Sequence, residues 1–392
     1  PMREPLHTIF EDWGNTLRVF GVDLGSYSLK GHCHRDGKMI EIAPRRSIVS
    51  VVEGGIVMGD VDVALENPDT SFFSLTRDLA ASDTVVTVND VTVRPYQALA
   101  GALIHYIGER SEGVAPIGVC VPPYLNHVAQ SLYLTAAAAN AQRFLIFSHG
   151  AACCASLLRC RQLQTKKQTH KPPRYVVVVD FGRSGIAAYV CDVLETVAMI
   201  RFQSMRSAGI QNMESRLVLE LSSSLEDPDG TLLARVIEVA KDVKEDFANV
   251  PEYLAATKRL SSATLPNSAG ITVDITREAF DEICDLAAKD VEETCGEVIQ
   301  WIADNVPVSR SDVELQMIGS GFRYKPFRSI FESQFDRRRT FQDRINVSQG
   351  LTQLMLMRHP AFTGSRYEID PLFELPTVEQ SGLRRVEEVT VR

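Results

Sequence analysis

The sequence predicts an α/β protein of two lobes, and three observations carry that prediction. A run of apolar, β-prone residues ends twice in an acidic residue, a spacer and a glycine. The first is Val19-Phe20-Gly21-Val22-Asp23-Leu24-Gly25-Ser26, and the second is Val176-Val177-Val178-Val179-Asp180-Phe181-Gly182-Arg183-Ser184-Gly185. Each is followed by β-hairpin patterns and then by alternating strands and helices, so one element order occurs twice. The chain of 392 residues, 45% hydrophobic and 23% charged, holds enough apolar material for about two to four units of domain size.

The elements follow in order. Residues 1–18 read as an amphipathic leader anchored by Phe10 and Trp13. Strand patterns cover Val19–Asp23, Ser28–His34, Met39–Ala43 and Ser47–Val52. A helix pattern spans Pro95–Glu109, with Leu99, Leu103, Tyr106 and Ile107 on one side. A strand (Pro116–Val121), a helix (Asn126–Ala141), a strand (Phe144–Phe147) and a helix (Gly150–Leu163) close the first half, residues 19–164. A basic linker, 165–174, leads to the second half, 175–357. There the strands are Tyr175–Asp180, Gly185–Val193 and Thr196–Ser204, followed by a helix at Ile210–Ser222.

A helical subdomain occupies about 225–310, with long patterns at Thr231–Ala248 and Thr276–Asn305. The second carries Phe280, Ile283, Leu286, Val291, Val298, Ile299 and Ile302 at three- and four-residue spacing, with Thr276 as N-cap and Glu278 in the first turn. The strand Glu314–Ile318 runs into Gly319-Ser320-Gly321 and a further helix, and 358–392 reads as an irregular, charged tail.

Composition excludes several function classes. A net charge of −9 argues against a nucleic-acid-binding surface, and the basic stretch Lys166–Arg174 reads as a solvated linker. No apolar run approaches the ~20 residues that span a bilayer, and the first residues lack a signal-peptide core. Of the eight cysteines, Cys120, Cys153, Cys154, Cys191, Cys284 and Cys295 lie inside apolar segments and read as reduced, buried thiols of a cytoplasmic protein. His32-Cys33-His34 reads as one strand of a hairpin with both histidines on one face rather than as a metal site.

The two acidic tips have a chemical meaning of their own. A strand that stops at Asp-x-Gly and reverses leaves free backbone N–H groups, and the carboxylate beside them can face a hydrated metal ion. That suits the phosphates and Mg²⁺ of a nucleotide held between duplicated halves.

Several further segments, in order, resemble the nucleotide-binding domain of the 70-kDa heat-shock protein family. They are Gly21–Ser28, Glu66–Arg77, Val121–Asn126, Ala136–Ala152, Val178–Gly185, Glu238–Lys241, Ile275–Ile283 and Ile318–Pro326. The resemblance covers residues 19–355 and implies the actin-like ATPase fold, with duplicated ribonuclease-H-like lobes. It implies ATP or ADP with Mg²⁺ as ligand, contacted by Asp23, Gly25, Ser26, Gly182, Arg183, Glu238, Lys241, Gly319, Gly321 and Arg323. Asp23 and Asp180 would face the metal through water.

The departures fall on catalytic positions. The family's catalytic lysine is Thr76 here, and a neutral hydroxyl cannot stabilise charge developing on a γ-phosphate. Tyr27 replaces a small hydroxyl residue, Gly182-Arg183-Ser184-Gly185 replaces Gly-Gly-Gly-Thr, and Ser320 replaces a glycine. Ser148-His149-Gly150-Ala151 replaces Asn-Glu-Pro-Thr, which removes a carboxylate that positions metal-bound water. Arg183 reads as a loop arginine pointing to solvent, with a phosphate contact as its alternative. His149 reads as a structural helix-start histidine with no acidic partner in view. The residues after 357 are too few for the family's β-sandwich peptide clamp.

The expectation is therefore a pseudo-ATPase with weak or no hydrolysis, working with protein partners such as a co-chaperone or a larger assembly, and without nucleic acid or membrane. A working, divergent ATP-dependent chaperone is the alternative, and an actin-related structural protein, suggested by Lys241–Glu245, is the second.

Overall fold

The computed structural model describes residues 19–35, 38–53, 55–73, 85–88, 91–95, 97–99, 106, 117–121, 144–165, 173–194, 197–207, 209–223, 225, 230–249, 255–259, 272–309, 312–340, 345–357, 368–370, 378–379 and 382–383. The expected leader, the helix Asn126–Ala141, most of the helix Pro95–Glu109, most of the basic linker, most of the tail, and Thr76 lie outside them.

The molecule is mixed α/β. Its first sheet joins β1 (Val19–Leu24), β2 (Ser28–Arg35), β3 (Lys38–Arg46), β9 (Ile117–Val121) and β10 (Phe144–Ser148) in the order β10-β9-β1-β2-β3. β1 runs antiparallel to β2 and parallel to β9. A second sheet joins β11 (Tyr175–Phe181), β12 (Ile186–Val193), β13 (Val197–Arg206), β16 (Glu314–Ile318), β17 (Arg337–Thr340) and β18 (Glu368–Asp370). Its order is β17-β16-β11-β12-β13-β18, with β11 antiparallel to β12 and parallel to β16. Without β18 the two sheets have one topology, a three-stranded meander extended by two parallel strands on the side of its first strand. Asp23 and Asp180 are the penultimate residues of the two equivalent strands, β1 and β11.

β11 explains its own sequence. Val176, Val177, Val178 and Val179 are all fully buried because both faces of the strand are covered, which reads as a continuous apolar run. Val177 and Val179 join a core with α3 (Ile210–Ser222), α4 (Gly230–Asn249) and α5 (Arg277–Asn305). Val176 and Val178 join a second core with α2 (His149–Thr165) and α7 (Val347–Met357). That second core also takes Val19, Cys120 and Phe147 from the first sheet, so α2 and α7 are packed between the sheets. Phe20 and Val22, on the other face of β1, belong to a third core with Leu29, Ile42 and Phe72. Burying each such side chain contributes about 1.5–3 kcal/mol.

Two glycines make the central packing possible. A Cβ on Gly21 would sit 2.2 Å from the Ser348 carbonyl oxygen and 2.4 Å from the Thr352 amide nitrogen, so α7 lies directly on the backbone of β1. A Cβ on Gly350 would sit 1.9 Å from the Ala152 carbonyl oxygen, where α7 crosses α2.

Other elements refine the sequence reading, among them the small sheet of β4 (Val49–Val52), β5 (Gly55–Met58) and β6 (Ser71–Phe72), the hairpin of β7 (Val86–Val88) with β8 (Val91–Val93), and α6 (Lys325–Glu332). β3 continues through Pro44 to Arg46, which a proline permits because β3 is an edge strand. Thr276 caps α5 as expected, its hydroxyl accepting from the Ala279 N–H at 3.2 Å. Leu286 is a correction: it is 56% exposed, and the buried stripe of α5 instead takes Cys284 and Cys295 between Phe280, Val291, Val298 and Ile302. Leu286 stands two residues past Cys284, about 200° round the helix. The short helix α1 (Val61–Glu66), capped by Asp60, and the hairpin of β14 (Ala255–Arg259) with β15 (Thr272–Thr276) were not foreseen. Among the described residues no helix is long and apolar enough to cross a membrane.

Candidate functional site

The two tips meet. The turn after β1 is Gly25-Ser26-Tyr27, held where Ser47 donates its hydroxyl to the Gly25 carbonyl and its amide to the Tyr27 carbonyl at 3.0 Å. The turn after β11 is closed by the Gly182 amide donating to the Gly185 carbonyl at 2.9 Å. The first turn of α3 then donates back to it, from Ile210 N to Gly182 O at 3.2 Å and from Gln211 N to Arg183 O at 2.7 Å. Across the gap the Ser184 hydroxyl bonds the buried Ser26 hydroxyl.

Behind the tips stands a buried polar cluster. β10 runs directly into α2, with the Ser148 hydroxyl accepting from the Ala151 amide at 3.1 Å, and this delivers His149 towards the end of β11. His149 Nε2 lies 2.9 Å from Asp180 Oδ2. Its Nδ1 lies 3.1 Å from the Tyr189 hydroxyl and 3.7 Å from Cys153 Sγ. Burial alone pushes the imidazole down, but the Cys153 sulfur and the Asp180 carboxylate hold it well above the ordinary histidine value. Asp180 shows the reciprocal direction: burial raises it, and the hydrogen bond and charge of His149, with Lys30, bring it below the usual value. The pair is therefore ionic. It forms although a helix N-terminus disfavours a cation.

Asp23 differs from Asp180. Burial raises its carboxyl, and the positive charges of Lys30 and His149 do not reverse that. Cys120 Sγ lies 3.9 Å from Asp23 Oδ1. Equivalent positions in the two sheets thus carry carboxyls displaced in opposite directions, because only Asp180 receives the imidazolium.

A network of two carboxylates and four cations also adjoins the tips. Glu214 on α3 takes Arg183 Nε at 2.8 Å and Lys244 Nζ at 2.7 Å. Glu238 on α4 takes Arg46 Nη2 at 2.8 Å and Lys241 Nζ. The Tyr27 ring lies beneath the Arg46 guanidinium at 4.1 Å, with Lys244 Nζ at 5.8 Å. Arg183 also donates to the Phe73 carbonyl at 3.4 Å. Burial raises Glu214, but Lys244 and Arg183 overcome it and leave the carboxyl below its usual value. Burial, with Arg183 and Arg46, lowers Lys241 to about 8 despite Glu238.

The sequence-derived residues divide accordingly. Asp23, Gly25, Ser26, Asp180, Gly182 and Arg183 gather at the tips, and Glu238 and Lys241 lie in the adjoining network. The expectation that Arg183 points to solvent is corrected: it is buried and paired with Glu214. The expectation that His149 lacks an acidic partner is also corrected, since the fold brings Asp180 to it. Arg323 is half exposed and pairs with Glu245 at 3.0 Å. Gly319 and Gly321 are explained by packing. Gly319 has φ 92°, and a Cβ there would meet Phe181 O at 2.4 Å and Asp180 Oδ1 at 2.5 Å, while one on Gly321 would meet the Phe181 ring at 2.4 Å. His32 is buried and bonded to Ser348 Oγ at 2.9 Å, and among the described residues no group of three or more His, Cys, Asp or Glu is placed to hold a metal ion.

Glu214, Lys244, Arg46 and Tyr189 were missed. Glu214 had a readable signal, being an acid on the buried stripe Ile210, Met213, Leu217, Leu221 of α3. Comparison with known proteins adds no identity to this geometry: no family model matches the chain, and no curated protein matches it.

Proposed function

We propose that this chain is a non-hydrolysing module on the actin-like ATPase fold, similar to the nucleotide-binding domain of the 70-kDa heat-shock protein family. On this reading its two sheets are the cores of two lobes, and it acts through protein partners, as a chaperone-related or assembly subunit in the cytoplasm. The matching sheet topologies with an aspartate at the same place in each support the duplicated architecture.

The observation that carries the loss of catalysis is the His149–Asp180 pair. A cation bonds the carboxylate that the resemblance assigns to metal-bound water, at the position where the family has a second carboxylate. The other Asp180 oxygen packs against Gly319, so neither oxygen of this carboxylate is free to accept from the waters of a hydrated Mg²⁺. The Ser184 hydroxyl proton is likewise donated to Ser26.

Calorimetric titration of Mg-ATP, followed by γ-phosphate release over hours, tests the reading. The expected result is no turnover above the uncatalysed background. Turnover at the rate of an ordinary chaperone ATPase would refute it and favour the divergent-enzyme alternative.

A further inference from the structure

We propose that the chain carries its own clasp across the tips: Ser26, Tyr27 and Arg46 on the side of the first sheet hold Ser184, Glu238 and Lys244 on the side of the second. This goes beyond the functional reading, because it rests on contacts and not on the family resemblance.

The partners are far apart in the chain and close in space. Ser184 bonds Ser26 across 158 residues, and Arg46 bonds Glu238 across 192. Tyr27 sits between the two sides, its ring lying beneath Arg46 and within reach of Lys244. Arg183 adds a bond to the Phe73 carbonyl from the same turn that carries Ser184.

Burial gives these contacts their strength. Ser26 is 4% exposed, so separating it from Ser184 leaves a buried hydroxyl without that partner. The Glu238 side chain is 15% exposed and the Arg46 side chain 25%, so water screens their charge-assisted bond less than it screens a surface pair. A ligand approaching the backbone N–H groups of the tips must first part the two serines and loosen Arg46 from Glu238. The clasp therefore holds the tips joined and gates any entry between them.

A crosslinking experiment on the full chain decides this. In Ser26→Cys/Ser184→Cys the two thiols replace the bonded hydroxyls, and copper–phenanthroline oxidation followed by peptide mapping reports their disulfide. The expected result is a disulfide that forms in ligand-free protein at a rate unchanged by Mg-ATP. Adding Arg46→Met and Glu238→Gln should slow it by about tenfold, a loss of about 1.4 kcal/mol. A disulfide that fails to form, or forms only with Mg-ATP, overturns the clasp. Should the double cysteine variant misfold, hydrogen exchange on the unaltered chain decides instead. Protection of the Ser26 and Ser184 amides that falls in Glu238→Gln supports the clasp, and amides that exchange freely in both overturn it. Phosphate release tests a separate statement: turnover by a chain that crosslinks without ligand refutes the silent reading and leaves the clasp standing.

Discussion

Replacing Glu214 with glutamine keeps the shape but removes the charge that two cations share, and turns one of the two accepting oxygens into an NH2 donor. The carboxylate is 6% exposed, and the Arg183 and Lys244 side chains are 8% and 9% exposed, at 2.8 and 2.7 Å. Removing one partner of a buried pair leaves an uncompensated charge and costs about 3–5 kcal/mol. Arg183 retains the Phe73 carbonyl at 3.4 Å, which moderates its share, so the middle of that range, about 4 kcal/mol, is expected. That is a large fraction of the ~5–15 kcal/mol that separates folded from unfolded chains. At about 2–4 °C per kcal/mol for a unit of 150–250 residues, the midpoint falls by about 8–16 °C. Urea unfolding followed by circular dichroism at pH 7 measures the difference. Its pH dependence has a defined sign. Glu214 is depressed in the folded state, so its contribution is present above its unfolded value near 4.5 and is lost as pH falls through the lower folded value. The gap between the parent and Glu214→Gln should therefore narrow at acid pH. A companion variant, Glu214→Leu with Arg183→Met and Lys244→Met, removes all three charges and should recover most of the loss. A cost below about 1 kcal/mol for Glu214→Gln at pH 7, with an unchanged denaturant slope, would show a hydrated, surface-like network and refute the reasoning.

Two further outcomes are expected. His149 is held well above its ordinary value, so its pair with Asp180 stabilises the fold fully below 6.5 and is lost only as pH rises through the raised folded value. Its C2 proton resonance should titrate with a midpoint above 6.5, and a midpoint at or below 6.5 would contradict the ion pair. Gly21→Ala and Gly296→Ala should have opposite signs in thermal unfolding. The first drives a Cβ into the α7 backbone and costs about 1–3 kcal/mol or more, while the second meets nothing within 4 Å inside α5 and gains up to about 1 kcal/mol. Equal effects would mean that α7 moves away from β1 without cost.

Much of the framework was legible in the residue pattern, and for local reasons. Ile210–Ser222 and Glu314–Ile318 form the expected elements with the expected ends, because periodicity and flanking turn residues act within a few positions. Four consecutive valines marked a strand, and the structure shows that both of its faces are covered. Leu286 shows the limit of the same signal: spacings of three and four admit more than one stripe on a long helix, and packing against α3 and β13 selected the one through Cys284 and Cys295. β3 shows another, since Pro44 ends a strand on paper but not at a sheet edge.

The candidate site was legible as a set of residues and not as a set of partners. Asp23 and Asp180 marked both tips, but nothing near Asp180 in the chain announces His149, and nothing near Arg183 announces Glu214. Composition and periodicity by themselves determined a mixed α/β frame with two acidic strand ends, because those patterns are set by backbone geometry and burial over short spans. The tertiary structure alone decided what the acidic ends and the loop arginine do. Their protonation and pairing depend on which charges come within about 3–4 Å in a desolvated space, and residues separated by 31, 158 or 192 positions meet there only once the chain is folded.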